Sequence, residues 1–201
     1  MGGVTDTSAR PKRRGREVLF QAVRQAMLDE LAERGYGEVS IEGVAARAGA
    51  AKTSVYRHWG TKEDLVVDAL RHALPVLDQP ADTGHVREDL LVLLRRMSAS
   101  LDGLTGQVLL TVAGERRRHP EIAEAVVDEI VRPRRRLFLA ALERAAERGQ
   151  ISGAAVTSLP IEVASGLMLQ HYLHTGTPPG EERIQEFLDQ AIMPLLTHDR
   201  A

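Results

Sequence analysis

The 201-residue chain has room for one large or two small domains and carries a net charge of only −2. It contains no cysteine, which excludes disulfides and thiolate metal sites and fits a reducing compartment. Aromatic residues make up 3%, so the core must be built from Leu, Val, Ala, Ile and Met. The charge is uneven. Residues 1–60 hold ten Lys/Arg against seven Asp/Glu, whereas residues 61–201 hold sixteen against twenty-one. A basic head on a mildly acidic body suits contact with nucleic acid through the head alone.

Residues 1–16 read as a flexible basic arm: a Gly/Thr/Ser-rich start, then Arg10, Lys12, Arg13, Arg14 and Arg16. The arm is either a solvated tail or a segment laid along phosphates or into a minor groove. No apolar run follows a basic segment, so no signal peptide is expected. Helical spacing of Leu19, Ala22, Val23, Ala26, Met27 and Leu31 predicts a first helix from about Glu17 to Arg34, closed by Gly35. Ser40 caps a second helix with apolar positions Ile41, Val44, Ala45 and Ala48, ended by Gly49. A third short helix covers about Ala51 to Trp59. Val55 and Trp59 face inward, and Lys52, Thr53, Ser54, Tyr56, Arg57 and His58 face out, a donor-rich set with no acid. Two helices joined by a tight glycine turn, the second with such a face, form the helix-turn-helix pattern for major-groove DNA. Trp59 reads as a hydrophobic plug rather than a base-stacking group.

Thr61 and Asp64 form a capping box for a fourth helix reaching about Leu74. Further helices are predicted over Val86–Asp102, Leu104–Arg117, Pro120–Gly149 (kinked or divided at Pro133), Pro160–His174 and Glu181–Thr197. No strand pattern, repeat or membrane span is read anywhere. The longest uncharged stretch, Val163–Gly180, holds Gln170, two histidines and two prolines. The fold class is therefore all-α: an N-terminal three-helix helix-turn-helix domain and a C-terminal helical domain, about nine helices in all. The parts are an arm over 1–16, a DNA-binding domain over 17–62 and a second domain over 63–201.

The VAARAG run ending at Gly49, the YRHW run at Tyr56–Trp59 and TKEDL at Thr61–Leu65 closely resemble the DNA-binding domain of TetR/AcrR-type transcriptional regulators. The remainder is similar to that family in helical layout and length. The resemblance implies that Lys52, Thr53 and Arg57 face base edges, and that Ser40, Ser54, Tyr56, His58 and Lys62 contact phosphates. Arg13 and Arg14 of the arm join this set. At Ala51 the family often carries a capping residue, so the third helix loses a cap worth about 1 kcal/mol.

The resemblance further implies a homodimer formed by the last two long helices, through Val163, Leu167, Ile184, Phe187, Leu188, Ala191 and Leu195. Internal core is the competing reading of these residues. It also implies an unidentified small-molecule effector held by the C-terminal helices. By helix position, Leu94, Met97, Leu101, Leu110, Phe138, Met168 and His171 are the pocket candidates, each of which is otherwise ordinary core. His171 and His174 have metal-ligand spacing but no carboxylate in the same turn, so no metal or other cofactor is expected. The arginine clusters at 116–118 and 132–136 are either solvated faces or a source of one inward cation for an anionic effector. No enzymatic constellation is present. The function expected is DNA-binding regulation of transcription, by a cytoplasmic repressor released from a pseudo-palindromic operator by the effector. The alternative is a helical ligand-binding or interaction protein that keeps the helix-turn-helix as scaffold.

Overall fold

The computed structural model describes residues 9–75 and 82–197, the side chains of 9–14 excepted. Among the described residues the chain is all-α, with no strand. Helix α1 spans Ala9–Arg34 and starts eight residues before the predicted Glu17. The arm expected over 1–16 is thus helical from Ala9. Pro11 does not prevent this, because in the first turn its missing N–H has no intrahelical partner to lose. Helices α2 (Ile41–Arg47), α3 (Lys52–His58) and α4 (Lys62–Ala73) follow.

Local chemistry sets each boundary. The Ser40 hydroxyl accepts the Gly43 N–H at 3.1 Å. Gly49, at φ 64°, reverses the chain so that the Ala50 N–H reaches the Ala45 carbonyl at 2.9 Å. Ala51 gives α3 no side-chain cap. The Thr61–Asp64 box is complete, with Asp64 N–H to Thr61 Oγ1 at 3.1 Å and Thr61 N–H to Asp64 Oδ2 at 3.0 Å.

The body comprises α5 (Val86–Ser100), α6 (Gly103–Gly114), α7 (Pro120–Val126), α8 (Arg132–Glu147), α9 (Leu159–Thr175), α10 (Glu181–Phe187) and α11 (Met193–Thr197). The α5–α6 corner is tight. A Cβ on Gly106 would stand 1.9 Å from the Leu101 carbonyl oxygen, so a side chain there must push backbone aside. Gly106→Ala is expected to cost about 1–3 kcal/mol by denaturant unfolding. Unchanged stability would mean that the corner is not sterically closed.

Two widened turns share one cause. Val127–Val131 and Leu188–Ile192 are π-helical, and each ends two residues before a proline, Pro133 and Pro194. A proline inside a helix has no N–H to donate and its ring collides with the carbonyl four residues back. The ladder opens accordingly: the Arg132 N–H goes to the Val127 carbonyl and the Met193 N–H to that of Leu188. The predicted division at Pro133 takes this form. The second widening was not anticipated.

Buried residues form two cores. The first joins Val23, Met27 and Leu31 of α1, Val44, Val55 and Trp59 of the motif, and Leu65, Val66 and Leu70 of α4. It continues into Val108 and Val112 of α6 and Ile122 and Val126 of α7. The second joins α5, α8, α9 and α10 through Leu90, Leu94, Phe138, Leu142, Met168 and Phe187. The apolar packing of the head therefore runs past residue 62 into two helices of the body.

Candidate nucleic-acid interface

Helix α3 is pinned from one side. Val55 is buried, and Trp59 is 4% exposed with its indole N–H donating to Asp68 Oδ2 at 2.9 Å. The same oxygen accepts Arg24 Nε at 2.8 Å. Burial alone would raise the Asp68 carboxyl, but the Arg24 and Trp59 hydrogen bonds outweigh it and hold the group below its usual range. Trp59 is thus a plug with its polar edge satisfied, leaving no free face for base stacking.

The outer face carries Lys52, Thr53, Tyr56 and Arg57, all exposed, with Ser54 half-buried. Arg57 makes no side-chain hydrogen bond or ion pair among the described residues. Ser40, exposed at the start of α2, lies at the edge of this surface with its oxygen committed to the cap. The expectation of an acid-free face needs correction. Glu42, in the first turn of α2, accepts Lys52 Nζ at 2.5 Å and the Tyr56 hydroxyl at 3.2 Å. The Lys52 hydrogen bond holds the Glu42 carboxyl below its usual range, and Glu42 in turn raises Lys52. Counting the residues of α3 alone missed it; an acid in the first turn of the preceding helix is the signal that was available.

Two other candidates make contacts to the fold: His58, which remains exposed, and Lys62, which is half-buried. His58 stacks on Phe20, with centroids 3.9 Å apart and planes 15° apart, and meets Trp59 edge-on. Burial pushes its imidazole down, so it is not a fixed cation at neutral pH. Lys62 donates to the Tyr36 and Val39 carbonyls at 3.0 and 3.2 Å, with its ammonium 3.8 Å from the Tyr36 ring centroid. Tyr36 is itself buried and donates to Glu63. Lys62 therefore ties the α1–α2 connection to α4, with two of its three ammonium donors engaged within the fold. Lys62→Met is expected to cost about 1–2 kcal/mol of stability and to leave the salt dependence of DNA binding unchanged. A flattened salt slope with unchanged melting would restore the phosphate role. Arg13 and Arg14 lie on the first turns of α1, and their side chains fall outside the described residues.

Where the two cores meet lie two adjoining, half-open lobes of a cleft, of about 410 and 360 Å³. The lobes share Met97, Ser100, Leu109, Val131, Arg134 and Ser165. Of the pocket candidates, Phe138 borders the first lobe and Leu101, Leu110 and Met168 the second, with Met97 on both. Two candidates are corrected. Leu94 is fully buried in the second core, and His171 borders neither lobe but meets Phe187 edge-on at 6.3 Å.

The interface candidates divide similarly. Ile184, Phe187 and Leu188 are buried inside the protomer's own second core. Val163, Leu167 and Ala191 are half-buried, and only Leu195 is exposed. The strongest apolar stripe of each helix faces its own core, as amphipathic packing requires. The outward side of α9 instead carries Leu159, Leu169 and Leu173, at 41%, 39% and 67% exposure, with Gly166 among them.

Two family descriptions match this chain. "Bacterial regulatory proteins, tetR family" covers residues 25–69, and "Tetracyclin repressor-like, C-terminal domain" covers residues 80–191. The chain belongs to the TetR family. It is 30% identical to an uncharacterized HTH-type transcriptional regulator of Mycobacterium tuberculosis, over 98% of both chains. It is 28% identical to a DNA-binding transcriptional repressor TetR of Mycobacteroides abscessus, over 90% of this chain and 95% of that one. In fold it is similar to NalD of Pseudomonas aeruginosa, described as the secondary repressor of a multidrug efflux pump. The TM-score there is 0.67 and the identity 20%, covering 93% of this chain and all of NalD. TetR-family members are DNA-binding transcriptional regulators rather than enzymes, and so is this protein. The scaffold-only alternative is set aside.

Proposed function

We propose that this TetR-family regulator is a homodimeric repressor. It would bind a pseudo-palindromic operator through α3 of each protomer and leave it when a small molecule fills the cavity between the two cores. The observation that carries the reading is the outward face of α3, where Lys52, Thr53 and Arg57 stand exposed on a helix fixed from behind by Val55 and Trp59. Cations and hydroxyls so placed reach base edges, while Ser40, Ser54 and Tyr56 face the flanking phosphates. The repressor relative from Mycobacteroides abscessus supports the direction of regulation.

Dimerisation would use the exposed leucines of α9 together with Leu195 of α11, an apolar surface that the protomer leaves uncovered. Two-fold pairing places two reading helices roughly 34–36 Å apart, one turn of duplex. α4 begins at Lys62, close after α3, and its C-cap Leu74 borders the cavity, so α4 would link the cavity to the reading face. A cytoplasmic, nucleoid-associated location follows from this role. Among the described residues no helix is long and apolar enough to cross a membrane.

The test is selection of bound fragments from genomic DNA, followed by light scattering of the free protein. A palindromic consensus and a dimeric mass are expected. Binding without sequence preference, or a monomer at micromolar concentration, would overturn the reading.

A further inference from the structure

The π turn before Pro133 places one cation where the two lobes of the cavity join. Arg134 borders both lobes, and the surrounding wall is mostly apolar: Leu74, Leu93, Ile130 and Phe138 on the first lobe and Met97 on both. Among the described residues its guanidinium has no carboxylate partner. Nη1 donates to the Ile130 carbonyl at 3.2 Å. Nη2 reaches the Pro75 carbonyl only at 3.4 Å, the outer limit of a hydrogen bond. Nε is buried and has no acceptor among the described residues.

The neighbouring charges do not supply the missing partner. Glu162 is taken by Arg135 and by the Ser158 hydroxyl at 2.8 Å. Arg135, on the same lobe, is itself held by that Glu162. Burial with no compensating acid pushes Arg134 below the usual arginine range. A buried guanidinium N–H left without an acceptor carries its full desolvation cost, and an acceptor brought by a ligand removes that cost.

The Nε–Nη2 edge of arginine is a fork that matches two carboxylate oxygens. In Arg134 it is this edge that is idle at Nε and weakly engaged at Nη2. We propose that the ligand of this cavity is an organic monoanion, an apolar body bearing one carboxylate. Arg134 binds it through the Nε–Nη2 edge and gives up its contact with Pro75 in doing so. This rests on the effector reading above and deepens it by naming the ligand's chemistry. One guanidinium fork matches one carboxylate, and the mostly apolar wall suits the ligand's body. Pro75 follows directly on Leu74, the C-cap of α4, so the exchange frees the far end of the helix that begins at Lys62, close after α3.

The experiment is titration calorimetry on the 201-residue protein with two matched pairs, decanoate with 1-decanol and 2-naphthoate with 2-naphthol. Arg134→Met and Arg134→Lys are measured beside the wild type. In the wild type at least one acid should bind about ten-fold or more tightly than its alcohol. That ratio should fall to about one in Arg134→Met. Arg134→Lys keeps the charge but loses the fork, so its ratio should lie between. Circular dichroism melting controls for folding. If Arg134→Met fails to fold, a ratio in Arg134→Lys reduced from wild type supports the proposal and an unchanged ratio overturns it. Alcohols that bind as tightly as the acids would overturn the anion proposal while leaving the cavity a ligand site. An acid preference that survives in Arg134→Met would remove Arg134 from it. No binding by either acid would overturn this proposal and leave the effector reading standing.

Discussion

Trp59→Ala is expected to destabilise the head by about 3–5 kcal/mol, the range for removing a buried aromatic side chain. Trp59 is 4% exposed, meets Phe20 edge-on at 5.1 Å and lies in the core that unites α1, α3 and α4. Its removal opens a cavity at the point where the reading helix ends. It also deprives Asp68 of one of two strong donors, the other being Arg24. Trp59→Phe separates these effects: most of the packing stays, the indole N–H goes, and the expected loss is about 1 kcal/mol.

The acid side of the stability profile gives a second readout. The folded-state value of Asp68 is depressed below its ordinary 3.8. Its contribution is therefore fully present above the unfolded value and is lost as pH falls through the folded one. Trp59→Phe removes one cause of the depression and should shrink that acid-side loss. Trp59 is the only tryptophan, so the variants must be followed by circular dichroism rather than fluorescence. A loss below about 1 kcal/mol for Trp59→Ala would sink the plug assignment. A Trp59→Phe protein of normal stability that no longer bound DNA would return the indole to the nucleic acid.

Features set by neighbours in sequence were readable before any coordinates. The Ser40 cap, the Gly49 reversal and the Thr61–Asp64 box each involve residues within a few positions of one another, and all three are present. The absence of a side-chain cap at Ala51 is equally local. Features that depend on what a helix meets were not readable. Lys62 looks like any exposed lysine beside a motif until the Tyr36 and Val39 carbonyls are seen beneath it. Glu42 is ten residues from Lys52 and shares its surface only because the glycine turn brings the two helix starts together. The same holds for Ile184, Phe187 and Leu188. Their apolar spacing is real, but spacing alone does not say whether the covering surface belongs to the same chain or to a second copy. Pro194 carried a usable signal, since the physics that divides the helix at Pro133 applies to it unchanged.

Arg57→Ala is expected to reduce discrimination between operator and random DNA by about ten- to hundredfold, the worth of about 1–3 kcal/mol carried by a bidentate arginine–guanine contact. Arg57 is exposed on α3 and has no partner within the described structure to compete for its guanidinium. Loss of that side chain should therefore fall on operator affinity, while random DNA, held through phosphates, should lose little. Lys52 differs, because it is already paired with Glu42 at 2.5 Å. DNA must take Lys52 and Tyr56 from that carboxylate while bringing its own negative charge close to it. Glu42→Gln should therefore raise affinity for operator and random DNA alike, several-fold at low salt and less as salt screens the repulsion. Fluorescence anisotropy across a salt series on both DNAs reads both variants. Equal losses on the two DNAs for Arg57→Ala would make it a phosphate contact. Weaker binding by Glu42→Gln would mean that the carboxylate serves the complex by holding Lys52 and Tyr56 in position, so that its order outweighs its charge.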